Sequence, residues 1–255
     1  MKIATWNVNS LKVRLPQVLG WLAANPVEVL CLQEIKQQDE DFPQAELQAA
    51  GYHSVFSGQK TYNGVAILSR EPVSDVQFDI PGFVDEQKRL IAATINDLRV
   101  VCIYVPNGQS VDSDKYYYKL SWLIALRNWL REELTRYPKL ILLGDYNIAP
   151  EDRDVYDPVA WQGNVLVSEA ERIQFRRLLE LGLHDSFRLF GQAEKSFTWW
   201  DYRMLAFRRN HGVRIDHILV SEPLAAHCKN CVIDRTPRKL ERPSDHAPVV
   251  AEVQE

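Results

Sequence analysis

The stretch "RPSDHAPVV" (242–250) joins a turn to the start of a buried strand, and it places an acid and an imidazole side by side at that junction. Serine and aspartate favour turns and Pro243 fixes the backbone before them, so Asp245 and His246 could be simple turn residues. Burying polar groups costs free energy unless they are paired, so a site at the strand end would also explain them. The segment alone leaves both interpretations open.

Five other predicted strands also carry polar side chains at an end or at the centre. Each has an ordinary explanation: Asn7 could bond a neighbouring strand, Glu34 could cap a helix, and Tyr104 could be a core residue with a bonded hydroxyl. Five coincidences in 255 residues favour a shared explanation, because side chains at strand ends can meet at one sheet edge. The sequence therefore predicts one pocket, lined by Asn7, Glu34, Tyr104, Asp145, Asn147, Asp216, Asp245 and His246.

The predicted pocket suits the hydrolysis of a phosphoester, which needs an activated water, a cation and donors for the phosphate charge. Carboxylate oxygens such as those of Glu34 are typical ligands of Mg²⁺ or Mn²⁺. A histidine paired with an aspartate can accept or donate a proton. Zinc is not expected, because Cys228 and Cys231 form a lone C-x-x-C pair without a suitably spaced histidine.

The composition is that of a globular protein, with 46% hydrophobic and 25% charged residues. The net charge of −4 excludes a protein that coats polyanions with its whole surface, but it allows an enzyme with a local basic face. Segments 207–214 and 234–243 could form such a face or could be solvated loops. The apolar stretches are too short to span a membrane, and the first residues do not form a signal peptide or a basic extension. We expect a monomer in a bacterial cytoplasm.

The hydrophobic pattern mixes short strands with amphipathic helices and contains no repeat or linker, so we expect a single catalytic domain over residues 1–255. Such a mixture predicts two packed sheets with helices outside them. Ser168 and Glu171 form a capping box that predicts the start of a helix ending near Gly182. The other predicted helices span 14–26 and about 115–136, and the predicted strands span 2–8, 28–34, 64–69, 89–95, 98–105, 139–147, 196–202, 213–220 and 247–253.

Eight motifs occur in a fixed order along the chain: "WNVN", "LQE", "YNGVAI", "IYVPNG", "GDYNIAP", "FTWWDYR", "GVRIDHILVS" and "RPSDHAPV". Together they closely resemble the exonuclease III/AP endonuclease family of the deoxyribonuclease I-like endonuclease/exonuclease/phosphatase superfamily. The resemblance runs from Met1 to about Val253. It implies an α/β fold, a four-layer α/β sandwich of two mixed β-sheets flanked by helices. It also implies Mg²⁺-dependent cleavage of DNA phosphodiesters, with Mn²⁺ as a substitute.

The resemblance also implies a role for each pocket residue. Glu34 would be the principal metal ligand, with Asn7 beside it and Asp245 as a second-site contact. Asp145 would orient or deprotonate the attacking water, and either Asp145 or His246 would be the base. Asn147 would hydrogen-bond the scissile phosphate, and Asp216 would act on it through the imidazole of His246. Tyr104 would contact the phosphate or assist the leaving oxygen.

By the same resemblance the substrate would be double-stranded DNA with abasic sites, nicks or blocked 3′ ends. Asn107 and Trp199 match positions that contact DNA and its sugars, and Tyr62 and Asn63 would touch the backbone. The full predicted set of DNA contacts is Tyr62, Asn63, Asn107, Lys115, Lys119, Leu166, Trp199 and Arg214.

The loop at residues 161–172 departs from what an abasic-site pocket would favour. It brings Val165, Leu166 and Val167 together, and bulky side chains there could narrow the pocket for an extruded sugar. We therefore expect that 3′-end processing could outweigh internal incision. Alternatively, these side chains simply pack inward before the following helix.

Two rival functions share the predicted fold. Lipid or inositol phosphoesterases would have the same acidic core, but the aromatic and amide groups of residues 196–202 and 104–110 favour DNA. A non-catalytic RNA-binding regulator could lose its metal ligand or catalytic pair, whereas this chain keeps Glu34, Asp145 and His246. A regulatory role alone is therefore disfavoured.

Overall fold

Two six-stranded β-sheets pack face to face and carry helices on their outer surfaces in the computed structural model, which describes residues 1–254. The predicted four-layer sandwich is confirmed. The strands are β1 (Lys2–Asn7), β2 (Val29–Gln33), β3 (His53–Ser57), β4 (Val65–Ser69), β5 (Ser74–Phe78), β6 (Leu90–Ile95), β7 (Leu98–Tyr104), β8 (Leu140–Asp145), β9 (Leu183–Asp185), β10 (Asp216–Ser221), β11 (Cys228–Ile233) and β12 (Val249–Val253). The helices are α1 (Leu11–Ala24), α2 (Gln44–Ala49), α3 (Asp114–Arg136), α4 (Pro158–Trp161), α5 (Glu169–Leu179), α6 (Ala206–Arg209) and α7 (Glu222–Ala225).

Both sheets are mixed. Sheet 1 has the strand order β11-β12-β1-β2-β4-β3, and sheet 2 has the order β5-β6-β7-β8-β10-β9. The pairs β1–β2 and β7–β8 are parallel, and the other neighbouring pairs are antiparallel. The central strands of both sheets read as continuous apolar runs because each of them is covered on both faces.

The core is divided into three main layers. The layer between the sheets contains residues such as Ile67 and Ile141, and it holds Cys31 and Cys102 as free thiols. The outer face of sheet 1 packs on α1, and the outer face of sheet 2 packs on α3 and α5. Long helix α3 buries Leu123, Leu126 and Leu130 there, as its spacing predicts. Burying each such side chain contributes roughly 1.5–3 kcal/mol.

The predicted helix boundaries are close to the observed ones. The capping box of α5 is present: Ser168 and Glu171 exchange side-chain and backbone bonds at the start of the helix. Helix α1 begins three residues earlier than predicted and accommodates Pro16 in its second turn. It ends before Asn25 because the residue preceding Pro26 is disfavoured in helical conformation.

The prediction of a strand over 196–202 is wrong. That segment forms only isolated bridges, from Trp199 to Val213 and to His246. It lies between the two sheets, because the hydroxyl of Thr198 accepts the backbone N–H groups of Ile215 and Asp216 beside β10, and its carbonyl accepts the N–H of Ala247 beside β12 at 2.8 Å. None of the helices described for residues 1–254 combines the length and the apolar character of a membrane span.

Candidate active site

Three polar side chains lie in one row at the end of sheet 2. The strand register pairs Tyr104 with Asp145 on β8, and Asp145 with Asp216 on β10. The side chains of Asp145 and Asp216 are both almost completely buried. Like charges opposite each other destabilise a sheet, so this row requires a positive partner.

Gly144 allows β8 to lie close to β7 beside this row. A Cβ atom at this position would stand 1.9 Å from the carbonyl oxygen of Ile103. Any side chain would therefore push β8 away from β7 and move Asp145 with it. The glycine of the "GDYN" motif is thus required by backbone contact.

Sheet 1 supplies the facing groups. Asn7 ends β1 and donates its amide to Glu34 Oε1 at 2.9 Å and to Asp145 Oδ2 at 2.9 Å. The orientation of that amide is fixed because Asn7 Oδ1 accepts the backbone N–H of Asn9 at 3.0 Å. Glu34 follows β2 in a left-handed conformation, with φ 52°, which turns its carboxylate towards sheet 2. Asn7 therefore bridges the two sheets.

His246 provides the positive partner for the acidic row. Its Nδ1 donates to both oxygens of Asp216, at 2.8 and 3.1 Å, and its Nε2 lies 3.8 Å from Asp145 Oδ2. Burial alone would lower the pKa of His246, but the carboxylates of Asp216 and Asp145 outweigh it and raise the pKa well above its usual value. Burial, with Asp216 beside it, raises the pKa of Asp145 despite the opposing effect of His246. The imidazole ring is therefore held as a cation between two acids.

One group of side chains at this point could hold a metal ion. Ligand atoms of Glu34, Asp145 and His246 all lie within 4.8 Å of one another. Two of the three are carboxylates, which suits a hard divalent cation better than zinc. His246 is hydrogen-bonded to Asp216 through Nδ1. The carboxylate oxygens of Glu34 and Asp145 are therefore the donors that fit such an ion.

Asn147 is tied to the end of β8. Its backbone N–H donates to Asp145 Oδ1 at 2.9 Å, and its side-chain amide donates to the carbonyl of Val105 at 2.9 Å. Its Oδ1 accepts from the amide of Asn107 at 3.2 Å. The predicted pair of asparagines therefore forms one hydrogen-bonded unit beside the acidic row.

Tyr104 is positioned by an arginine that the sequence did not reveal. The guanidinium of Arg89 lies over the Tyr104 ring, 4.6 Å from its centroid. Burial and the nearby Glu34 carboxylate raise the pKa of Tyr104 well above its usual value, although Arg89 opposes them. The hydroxyl therefore stays protonated and serves as a donor. A second missed residue is Lys36, whose Nζ lies 3.0 Å from Glu34 Oε2; its place two residues after the "LQE" motif was the available signal.

Asp245 lies at the rim of the site and has its own partners. Its Oδ2 accepts from the indole of Trp199 at 2.9 Å, and its Oδ1 accepts from Asn9 at 3.1 Å. These bonds join the "SDH" turn to the "FTWWDYR" segment. Among the described residues, Asp245 is not part of the group that could share a metal with Glu34.

Leu166 fills the space beside Trp199. It is 5% exposed and packs with Val213 and Ile215, which precede Asp216. Leu166, Trp199, Val213 and Ile215 are named the Leu166 cluster below. The side chain of Leu166 packs inward against the rest of this cluster, and it stays a prediction that its bulk limits the room for an extruded sugar. Its backbone has φ 78°, in the left-handed region, which costs a non-glycine residue on the order of 1–2 kcal/mol.

The predicted DNA contacts divide into exposed and buried residues. Tyr62 is 66% exposed, and Lys115 and Asn107 are also at the surface. Asn63 is nearly buried and donates to Gln59 at 3.1 Å. The surface residues remain predictions as DNA contacts.

Lys119 and Arg214 do not fit the predicted role. Their side chains are at most 2% exposed and are used up in ion pairs inside the protein. An ammonium or guanidinium in that position cannot reach a backbone phosphate. Both cations are structural, and their partners are Glu171 for Lys119 and Asp154 and Asp185 for Arg214.

Arg214 joins the segment after β8 to strands β9 and β10. Its Nε lies 2.7 Å from Asp154 Oδ1, and its terminal nitrogen lies 2.8 Å from Asp185 Oδ2. Although burial alone would raise the pKa values of Asp154 and Asp185, the guanidinium outweighs it and lowers both. Another guanidinium nitrogen lies 3.0 Å from Nδ1 of His217, which therefore accepts this bond in its neutral form.

His217 should make stability depend on pH. Burial and then the Arg214 charge lower its pKa to about 4, while the unfolded value is 6.5. Between pH 6.5 and pH 4 the imidazole of His217 binds a proton in the unfolded chain but stays neutral in the folded protein. The free energy of unfolding therefore decreases as the pH falls towards 4. His217→Gln keeps a donor for the carbonyl of Ile148 and an acceptor for Arg214 but cannot titrate.

The free energy of unfolding of His217→Gln minus that of the unsubstituted protein should increase by about 2 kcal/mol when the pH is lowered from 7 to 5. Urea denaturation of both proteins at the two pH values measures this difference. Because all other titrating groups are shared, their contributions cancel. Parallel pH profiles would contradict the assignment of a neutral His217.

Three comparisons place this geometry among known proteins. A family model described as the endonuclease/exonuclease/phosphatase family matches residues 4–246. The chain is similar to exodeoxyribonuclease III of Haemophilus influenzae, with 36% identity over 265 residues that cover 99% of each chain.

Solved structures are similar over their full lengths. One is a 3′ phosphatase from Neisseria bound to a product DNA hairpin, with 52% identity and a TM-score of 0.98, covering 100% of both chains. Another is an AP endonuclease from Archaeoglobus fulgidus, with 42% identity and a TM-score of 0.96, also covering 100% of both chains.

Proposed function

Because the chain belongs to the endonuclease/exonuclease/phosphatase family and is a DNA repair nuclease of the exonuclease III type, we propose that its main reaction is the processing of blocked 3′ ends. The substrate would be duplex DNA with a nick or end that carries a 3′-phosphate or a damaged 3′ residue. Incision at internal abasic sites would be a weaker second activity. The observation that carries this proposal is the position of Leu166 in the cluster beside Trp199.

The cation in this proposal is Mg²⁺. Glu34 would hold it together with Asp145, and Asn7 would keep these two carboxylates at the right separation through its shared amide. Bound there, the ion would neutralise charge on the phosphate that is being hydrolysed. The carboxylate-rich group that could hold an ion supports this assignment.

Asp145 and His246 divide the remaining work in the proposed mechanism. Asp145 lies at the centre of the row, and we assign it to orient the attacking water and accept its proton. His246, kept cationic by Asp216, would donate a hydrogen bond from Nε2 to a phosphate oxygen. Asn147 would stabilise the same phosphate because its amide is fixed at the end of β8.

Tyr104 is assigned to the leaving side of the phosphate. Its hydroxyl is protonated at neutral pH, so it can donate to a developing negative charge. Arg89, stacked on the ring, would hold it in place.

The preference for 3′ ends follows from the space beside Trp199. An internal abasic nucleotide must leave the helix and enter a shaped pocket, whereas a terminal phosphate needs no extrusion. Leu166 occupies that side of the site together with Val213 and Ile215. The similarity to a 3′ phosphatase at 52% identity supports the same preference.

Leu166→Gly tests this function. Glycine adopts φ 78° without strain and removes the side chain, so we expect the ratio of internal incision to 3′-phosphate removal, each as kcat/KM, to rise about 10- to 200-fold. The measurement compares two duplexes in Mg²⁺, one with an internal abasic site and one with a nick bearing a 3′-phosphate.

Leu205→Gly is the matched control. Leu205 also has a left-handed backbone, with φ 54°, but it is exposed and lies outside the Leu166 cluster. It should leave the ratio unchanged. Equal rates on both duplexes in the unsubstituted protein would show instead a general abasic endonuclease, and an unchanged ratio in Leu166→Gly would show that Leu166 does not set the preference.

A further inference from the structure

Lys119 lies at the centre of a buried network that joins three loops around the candidate site. It projects from α3 and donates to the carbonyl oxygens of Asn107 at 3.1 Å and of Asn147 at 2.6 Å. Its third partner is the carboxylate of Glu171 on α5, and both side chains are completely buried. A lysine ammonium has three donors, so this network uses all of them.

Glu171 carries the network on to Leu166. Its Oε1 accepts the backbone N–H of Leu166 at 3.0 Å, while its Oε2 accepts the N–H of Ser168 at 3.1 Å. The carbonyl of Leu166 in turn accepts from the N–H of Ala149 at 2.8 Å. The N–H of Leu166 is therefore held by Glu171, and its carbonyl is held by Ala149, two residues after Asn147.

The conformation of Leu166 needs such fixing. A leucine with φ 78° is strained, and strained residues persist only where their surroundings leave them no alternative. The ion pair is the only charged group that bonds the Leu166 backbone among the contacts of residues 1–254. If Glu171 moved, Leu166 could relax to negative φ and its side chain would leave the Leu166 cluster.

The stem of Lys119 adds a packing constraint. A Cβ atom on Gly108 would meet the Lys119 chain at 3.2 Å and a methyl group of Val165 at 3.2 Å. The loop after β7 and the loop before α5 therefore meet at Gly108, beside the side chain of Lys119. A change in Lys119 reaches both loops.

We propose that the Lys119–Glu171 pair is the positioning group that holds Leu166 in the Leu166 cluster and thereby sets the preference between 3′ ends and internal abasic sites. The inference rests on the proposed function, because it explains how the residue that restricts internal incision is kept in place. Lys119 and Glu171 do not touch the substrate in this account.

Lys119→Met removes the ammonium while keeping a chain of similar size. We expect the ratio of internal incision to 3′-phosphate removal to rise at least about tenfold, because the loop loses its register with Asn147. The same substitution made in Leu166→Gly should leave the ratio of that variant unchanged, because the side chain that the pair positions is already absent. A purely structural role would lower both rates together and leave the ratio constant in both backgrounds.

Arg99→Met is the matched control. Arg99 on β7 forms a buried pair, at 2.8 Å, with Glu133, which lies on the same helix α3 as Lys119. Arg99 contacts no loop of the site. It should lower the melting temperature, as Lys119→Met does, without changing the ratio. A similar ratio change in Arg99→Met would overturn the proposal.

Glu171→Gln serves if Lys119→Met does not fold. The amide keeps an acceptor for the N–H of Leu166 but loses the charge and the acceptor for Ser168, so the ratio should shift in the same direction by a smaller factor. A constant ratio in folded Lys119→Met or Glu171→Gln would refute the inference. If the unsubstituted protein incises the abasic duplex as fast as it removes the 3′-phosphate, the proposed function fails. A change in the ratio of these two rates in Lys119→Met would still support the positioning role.

Discussion

Asp145→Asn should reduce the single-turnover rate of 3′-phosphate removal by about 10²- to 10⁴-fold in saturating Mg²⁺, the range that general acid–base groups contribute. Asp145 lies at the centre of the site. It neighbours Tyr104 and Asp216 in the sheet register and accepts from the amide of Asn7. The amide has the same shape, but it can neither take a proton from water nor offer Mg²⁺ the negative charge of the carboxylate.

Binding separates this effect from a loss of affinity. Removing a negative charge near the phosphate reduces repulsion, so DNA affinity should be equal or higher in Asp145→Asn. Asp234→Asn is a suitable control, since Asp234 bonds the indole of Trp21 at 2.8 Å and lies outside the candidate site. It should retain the full rate. A normal rate in Asp145→Asn would mean that the assignment of the site is wrong.

Arg214→Met should lower the free energy of unfolding by about 3–5 kcal/mol, because it leaves the buried carboxylate of Asp185 without a cation and that of Asp154 with Arg188 alone. Both carboxylates are held below the usual pKa range by this guanidinium. Urea denaturation at pH 7 measures the loss. A contact between Arg214 and DNA would instead raise KM and leave stability unchanged.

Arg203→Met provides the comparison for this arginine. Arg203 pairs with Asp201 at the surface, where the arginine side chain is 84% exposed and solvent screens the charges. The same chemical change should leave the unfolding curve in place. Equal curves for the two variants would contradict a structural role for Arg214.

The fold was accessible from the sequence where the physical signal is local. Apolar runs such as 140–145 and the capping box of Ser168 and Glu171 are set by neighbouring residues, and both are confirmed. The strands that were not predicted lack such a signal. β11 is an edge strand with exposed Lys229 and Asn230 and an irregular register, so its alternation is broken. The aromatic segment 196–202 has the composition of a strand, but tertiary bonds of Thr198 and Trp199 hold it outside both sheets.

The members of the site were predicted because polar groups at the ends of buried strands are unfavourable without partners. Which partners they meet depends on contacts across the chain: Asn7 and Asp145 are 138 residues apart. The same limit explains Lys119 and Arg214. Long cations are usually exposed, and these two are paired with acids far along the chain: Glu171 lies 52 residues from Lys119, and Asp154 lies 60 residues from Arg214.

The bridge that Asn7 makes between the sheets has a consequence for safety in the cell. Glu34 and His246 stand on one layer and Asp145 and Asp216 on the other, so neither layer alone holds enough groups to hydrolyse a phosphodiester. The ability to cut DNA therefore arises only when the two layers dock. A chain in which the two layers have not yet docked, or have separated, therefore has no nuclease activity, even where one layer keeps its structure.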